Sequence, residues 1–522
     1  MSVTFRLPTN LRPCVGGRRD VQIETPAATV GDALRSLGQL YPGLLDRVLT
    51  ETGELRQKVY IFVGNECTQC TGRLATALPP QAQVQIAPQG SPLGRAPYSL
   101  GALGASRGRM PAKELSPKPS GVVLMVGTTK GAYLLTSDFS RSKWQTSSPQ
   151  LRGHSVYAMA YDGRNGRQRI WAGAQSYHFG AALRFTDDFG KTWSAPDTAS
   201  IKFPSDAGVS LNQIWQIAIP KERPEMMYCG VEPAALFESR DAGQSWSLVR
   251  GLFDHRHRPR WEPGGGGLCL HTILPDPTNH QRMHVAISTG GVYRTDDGGK
   301  TWQSRNQGIR AEFLPDEYPE FGQCVHKIVH HPSAPERLFL QNHWGLYRSD
   351  DGGDSWRDVA NDVPSDFGFA MVVHPHEPET VYIVPLESDE FRCVPEGKLR
   401  VYRSRNGARW EPLTRGLPQS EAFETVVRDA MSTDSLVPAG IYFGTRSGKL
   451  YGSANGGASW QLIAGCFPPI TCVKAASLGP APFPRPKPRR SRTGGTKRRA
   501  RAVSRGIDVS HCKLPPHEVT ET

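Results

Sequence analysis

Histidines, carboxylates and arginines gather in a few long connections of this 522-residue chain, and these are the residue types that could do chemistry. His255-x-His257, joined by His271 or His326 and a carboxylate, would suit zinc or another divalent transition metal, since imidazole and carboxylate are ligands such ions accept. Glu232, Glu320, Glu387 and Asp389 could supply a carboxylate pair for glycoside hydrolysis, with their separation deciding a retaining or inverting outcome. Arg428 and Arg446 could clamp a substrate carboxylate through paired N–H donors. His178, Trp261, Asn342, His343, Trp344, Asp366 and Glu390 complete a polar and aromatic set suited to a small ligand, a glycan or a protein partner. Structural roles compete with these. His271 and His326 sit in apolar strand sequences (LCLH, QCVH) where a satisfied core histidine is equally expected. Trp261 and Trp344 could cap a funnel, and the acidic run at 387–390 could be a solvated face.

A repeat spaces these connections. TDDGGKTW at Thr295–Trp302 recurs as TDDFGKTW (Thr186–Trp193), SRDAGQSW (Ser239–Trp246), SDDGGDSW (Ser349–Trp356) and SANGGASW (Ser453–Trp460). A copy one residue short lies at Ser404–Trp410 and a worn copy at Thr136–Trp144. Asp188, Asp241, Asp297 and Asp351 are expected to be structural, accepting N–H bonds inside their own tight turn. The glycine takes positive φ, and the tryptophan offers a large apolar surface to the neighbouring repeat. The tryptophans fall 49 to 56 residues apart. A period near fifty with four strands per period predicts propeller blades. In the fourth repeat, Leu268–Leu274, Met283–Ser288 and Gly291–Thr295 are the first three strands. The first repeat lacks its inner strand, because Val122–Thr129 already corresponds to a second one. Ile470–Ala476 can supply it, so seven blades closed by the C-terminal strand are expected. The repeated turns join third to fourth strands and mark one face. The connections between second and third strands, and from blade to blade, lie on the opposite face and carry the candidate residues above.

The repeat resembles the Asp-box, or BNR repeat, of sialidase-like β-propellers. Phrases such as YPEFGQCVHKIVHHP, LQNHWGLYRSDD and PLESDEFR resemble a bacterial propeller family labelled BNR-repeat or glycosyl hydrolase-like. Sialidase chemistry would require three carboxylate-clamping arginines and a tyrosine nucleophile. Tyr293 and Tyr347 instead fall in third strands, where they alternate as packing residues, and the early Arg-Ile-Pro signature is replaced by VVLMVGTTKGAYLL. Photosystem-assembly-factor propellers also share seven Asp-box blades and act by binding protein. The resemblance thus implies either a binding or scaffold protein or a hydrolase at the propeller funnel.

Residues 1–92 predict a small α+β module. Val3–Pro8 and Val21–Pro26 are expected to pair as a hairpin. A helix follows with Thr29 as its N-cap and Val30, Ala33, Leu34, Leu37 and Leu40 on its apolar face. Lys58–Asn65 and Gln83–Pro88 are strands. The order resembles the ubiquitin-like β-grasp fold of the MoaD/ThiS sulfur-carrier family, on TVGDALRSLGQLYPGL, LRQKVYIFVGNE and LATALPPQAQVQIAP. Members of that family end in Gly-Gly, whose carboxylate carries the sulfur. Here the strand runs on through Gly90, so a carrier role with a sulfur-transfer partner would require cleavage at Gly90; otherwise the module is a docking unit. Cys67 and Cys70 form a lone C-x-x-C, half of what a structural zinc site requires.

Residues 93–120 mix Pro, Gly, Ser and basic residues without periodicity and predict a flexible linker that lets the modules move independently. The propeller occupies 121–477. Residues 478–522 form a basic Pro/Arg-rich tail that cannot build a core. From residue 480 onward it holds eleven Lys and Arg against three Asp and Glu, much of the net charge of +13. Such a tail can contact nucleic acid weakly and non-specifically through counterion release. No apolar run is long enough to span a membrane. The absence of a signal-peptide core and the sparse cysteines predict a reduced, cytoplasmic protein.

Overall fold

The computed structural model describes residues 1–64, 66–88 and 120–479. Gly90, the linker from 93 to 119 and the tail from 480 lie outside the described residues, as does the side chain of Cys70.

Five strands and two helices build the N-terminal module: β1 (Ser2–Arg6), β2 (Asp20–Glu24), α1 (Val30–Leu40), α2 (Pro42–Val48), β3 (Val59–Val63), β4 (Glu66–Cys67) and β5 (Gln83–Pro88). The sheet order is β2-β1-β5-β3-β4, with β1 parallel to β5 and the other pairs antiparallel, which is a β-grasp sheet. Thr29 caps α1 through a reciprocal box: its hydroxyl accepts from the Asp32 N–H at 3.2 Å, and Asp32 accepts from the Thr29 N–H at 3.2 Å. Val30, Ala33, Leu34 and Leu37 are buried against the sheet, whereas Leu40 is exposed where the helix ends ahead of Pro42.

Among the described residues the remainder forms one three-stranded and six four-stranded antiparallel sheets. In chain order their innermost strands are Ile470–Leu478, Ser155–Asp162, Gln213–Ala218, Leu270–Pro275, Val325–His331, Gly368–Val373 and Met431–Thr433. Each touches the next, and the last touches the first, so the sheets close a ring: a β-propeller. Ile470–Leu478 pairs antiparallel with Gly121–Thr128, supplying the inner strand the N-terminal sheet lacks and removing an open edge. The second sheet has three strands instead of the expected four.

The repeated turns are built alike. Asp297 Oδ1 accepts from the Thr301 N–H at 2.9 Å and from Thr295 Oγ1 at 2.8 Å, while its Oδ2 accepts from Thr301 Oγ1 at 2.6 Å. Thr295 Oγ1 in turn accepts from the Gly299 N–H at 2.9 Å, with Gly299 at φ +92°. Asp188, Asp241 and Asp351 repeat the pattern, and Asn455 does the same with an amide oxygen. The leading Ser or Thr is therefore as much a part of the turn as the Asp. Trp356 and Trp410 reach back to the preceding repeat, donating to Arg305 and Val359 carbonyls at 2.9 and 2.8 Å.

The β-grasp module docks on the second sheet of the propeller. Arg47 is buried and donates to the carbonyls of Phe179, Ala181 and Pro196 at 3.2, 2.6 and 3.1 Å. Phe179, 2% exposed, inserts into the β-grasp core. The two modules, expected to move independently, are in contact through these buried groups. The linker composition carried no sign of this, since the contact is made by other segments.

Candidate ligand-binding cavity

The segments joining blades, and those joining second to third strands, converge on one side of the ring around a cavity of about 1070 Å³. Its rim comes from residues 259–260, 262–266, 288–289, 313–316, 319–322 and 324, from His343 and Trp344, and from Asp389, Arg392 and Arg428. All lie in those two kinds of connection or at the ends of the strands they join, opposite the repeated turns.

One inner strand sets the floor. Cys324 and His326 flank Val325 at the head of the fifth sheet's inner strand, where the register shifts between Val325 and Lys327, and both line the cavity. Cys324 Sγ lies 3.6 Å from His326 Nε2. His326 Nδ1 sits 2.6 Å from the Gly368 carbonyl oxygen. That oxygen can only accept, so Nδ1 carries the proton and Nε2 presents its lone pair to the thiol. His343, at the end of the second strand, brings one ring nitrogen within 4.8 Å of both groups. Asp389 Oδ2 is 3.4 Å from His343 Nε2. Burial pushes His326 well below the usual imidazole range, helped by the nearby Arg428 charge, and burial lowers His343 as well. Both rings are therefore neutral near pH 7. Burial raises the Cys324 thiol, and Arg428 partly offsets it.

Aromatic rings form the walls. Phe313 and Trp344 are 5.1 Å apart, His343 and Trp344 4.3 Å, and His326 and Phe369 4.4 Å. Arg428 lies 5.4 Å from the Trp215 ring centroid and 5.9 Å from that of Phe369. Its Nη1 meets Cys269 Sγ at 3.5 Å, and its Nε is buried without a partner. Arg392 is 5.5 Å from the Phe369 centroid and donates to the Asp389 carbonyl at 3.0 Å. Neither arginine forms an ion pair with a described residue. Two cations thus face an aromatic cavity with donors to spare.

Other candidates are placed elsewhere. The four-histidine metal set does not assemble. His271 is fully buried with both ring nitrogens engaged, by Thr272 Oγ1 at 3.0 Å and the Val325 carbonyl at 2.9 Å. His255 Nδ1 accepts from the His257 N–H, and His257 Nδ1 is 3.0 Å from the Tyr293 hydroxyl, to which Trp261 also donates. Among the described residues, only His326 of that set belongs to a group of three metal-type donors, whereas His257 meets the single carboxylate of Glu320 at 3.4 Å. Glu232 accepts from Asn212 and Trp215, both at 2.9 Å. Glu320 lines the cavity but is shared among Arg256, His257 and Ser304. Asp366 pairs with Arg310, and buried Asn342 donates to the Arg310 and Trp344 carbonyls. Glu387 and Glu390 are exposed, and neither they nor Arg446 line the cavity. His178 lies at the module interface, 3.3 Å from the Lys58 carbonyl oxygen. Tyr293 and Tyr347 are buried packing residues. Cys324, Arg392 and wall residues such as Phe313 and Phe369 are cavity residues that spacing alone passed over; the signal for the first was the Cys-x-His pair at the head of an inner strand.

No protein-family model matches the chain. Its first 90 or so residues are 34% identical to the sulfur carrier protein CysO of Mycobacterium tuberculosis, over 17% of this chain and 95% of that protein. By this module the chain belongs to the CysO family. The crystal structure of CysO matches at 34% identity and a TM-score of 0.16, over 17% of this chain and 98% of that one. The remainder is similar to oligoxyloglucan-reducing end-specific xyloglucanase of Emericella nidulans, 26% identical over 226 residues. The chain spans about a quarter of that enzyme, 26% of its length against 38% of this chain. Among solved structures, an ancestral GH74 enzyme shares 16% identity and a TM-score of 0.40, covering 57% of this chain and 36% of that one. YCF48 bound to D1 peptide shares 16% and 0.38, covering 67% and 86%. Among the described residues no helix is long and apolar enough to cross a membrane.

Proposed function

We propose that the chain is a ligand-binding protein: a seven-bladed Asp-box propeller that holds a small anionic molecule in its loop-face cavity, with a CysO-like module docked on it to recruit a second partner. One observation carries this reading. Arg428 enters the cavity near Trp215 and Phe369 with a buried, unpartnered Nε and forms no ion pair with a described residue. A half-buried cation in such a site is stabilised by an anion, because hydrogen bonds to charged groups contribute about 1.5–3 kcal/mol each. Arg392 adds a second donor fork on the rim. We place the protein in the cytoplasm, with its thiols reduced.

Calorimetric titration of the intact chain with citrate, inorganic phosphate and a uronate-terminated oligosaccharide tests the proposal, with neutral xyloglucan oligosaccharides as the comparison. At least one anion is expected to bind, and Arg428→Gln is expected to weaken it at least about tenfold. Equal binding of the neutral oligosaccharides by both proteins, with hydrolysis, would instead favour the glycosidase alternative.

CysO membership supports a second reading, a sulfur carrier released by cleavage at Gly90. Mass spectrometry of the protein from its own host would then find a fragment ending at Gly90. A chain recovered only intact would remove this reading.

A further inference from the structure

We propose that Cys324, His326 and His343 form a transition-metal site of the zinc class, with its open coordination position facing the cavity. The site goes beyond the anion-binding proposal and stands without it.

One donor separation is already that a metal would require, and the third donor is close by. A zinc ion binds thiolate at about 2.3 Å and imidazole at about 2.0–2.1 Å in a tetrahedron, which puts the sulfur and nitrogen about 3.6 Å apart. Cys324 Sγ and His326 Nε2 are 3.6 Å apart, and the His343 donor lies within 4.8 Å of both. The ring of His326 is oriented as metal-bound rings are, with Nδ1–H held by the Gly368 carbonyl and Nε2 free to coordinate. The Asp389 carboxylate lies 3.4 Å from His343 Nε2, so the ring's other nitrogen, Nδ1, is assigned to the metal, with Asp389 as its outer partner.

The donor types narrow the ion. One thiolate and two imidazoles favour zinc, cobalt or copper over magnesium or calcium, which take oxygen ligands. Three protein ligands with the fourth position open is the pattern of sites that bind an exogenous molecule, since structural zinc sites close all four. All three residues line the cavity, so a small molecule there can reach the ion. Binding requires the thiol to lose its proton, and the neutral imidazoles need lose none. A divalent ion with one thiolate leaves a net charge of +1 beside Arg428, which favours an anion in the open position.

The test uses the untagged full chain, stripped with chelator and titrated with Co²⁺, then Zn²⁺. One equivalent of Co²⁺ is expected, with visible d–d bands of tetrahedral intensity and a near-ultraviolet thiolate-to-cobalt band, and one equivalent of Zn²⁺ should displace it. Cys324→Ser should abolish the thiolate band. His326→Ala and His343→Ala should each weaken Zn²⁺ more than about 100-fold, beyond the 10–100-fold typical of losing an outer partner. Cys67→Ser, in the CysO-like module, should leave spectrum and stoichiometry unchanged. Circular dichroism and a melting curve verify the fold of each variant. The assignment is overturned if the folded wild-type chain gives no thiolate–cobalt band, or if Cys324→Ser keeps the band and Cys67→Ser loses it.

Discussion

Arg47 of the CysO-like module donates to the Ala181 carbonyl of the propeller at 2.6 Å, and the same guanidinium also satisfies Phe179 and Pro196. Burial lowers its pKa to about 10, still well above neutrality, so it crosses the interface as a cation. Arg47→Ala is expected to leave three carbonyls without this donor and to destabilise the docked state by about 3 kcal/mol or more. Hydrogen exchange by mass spectrometry should show faster exchange in 44–49 and 176–184, with the rest of the ring unchanged. Unchanged exchange in both segments would refute an energetic role for the contact.

At the inner wall of the ring, Asp429 Oδ1 accepts from Lys327 Nζ at 2.8 Å and Lys474 Nζ at 2.7 Å. Burial alone would raise this carboxyl, but the two ammoniums outweigh it and hold it well below the usual carboxylate range. Asp429→Ala would leave buried Lys327 and half-buried Lys474 facing each other and is expected to cost about 3 kcal/mol in chemical denaturation. Replacing all three residues by apolar ones of similar size should recover much of that loss, which a packing role for Asp429 alone would not explain.

The repeated turns predict an acid response. Ser245 donates its hydroxyl and its N–H to Asp241, lowering the carboxyl to about 2. A depressed carboxyl contributes stability that is fully present above the unfolded value near 3.9 and is lost as pH falls through about 2. Because the turn lies at the surface, water screens the effect to no more than about 1 kcal/mol per turn. The melting temperature should therefore fall between about pH 4 and 2, and Asp241→Asn should flatten that slope slightly. An unchanged slope in Asp241→Asn would show that the stabilising hydrogen bonds do not depend on the charge.

Local chemistry was legible where one stretch of chain decides it. Thr29 was readable as a cap because its partner Asp32 lies three residues on, and Gly291–Thr295 is a strand at the bounds its alternation indicates. Ile470 was readable as the start of a closing strand because the first repeat is one strand short. The cavity was legible only as a face. Which loops lean inward depends on the ring, so Cys324 and Arg392 emerged from geometry, while His271 and His255 turned to local partners. Phe179 was hidden for another reason. Its loop has the composition of a ligand-binding connection, but its position beside the CysO-like module makes it an anchor.

That anchor leads to a last expectation. Phe179 sits in the core cluster of the CysO-like module with Leu44 and Val48 nearby in the chain from Arg47. Leu211 N–H also donates to Glu51 at 3.2 Å across the same interface. None of these contacts passes through the segment between residues 88 and 120. A protease site inserted there and cut after folding should therefore leave the two fragments associated and eluting together on gel filtration. Phe179→Ala removes a buried ring, a loss of about 3–5 kcal/mol in a well-packed site, and should let the cut fragments separate at micromolar concentration. Separation of the cut wild-type fragments would mean that the tether, not the interface, holds the modules. Co-elution of both proteins would place the binding energy on Arg47 and its carbonyls instead of the inserted ring.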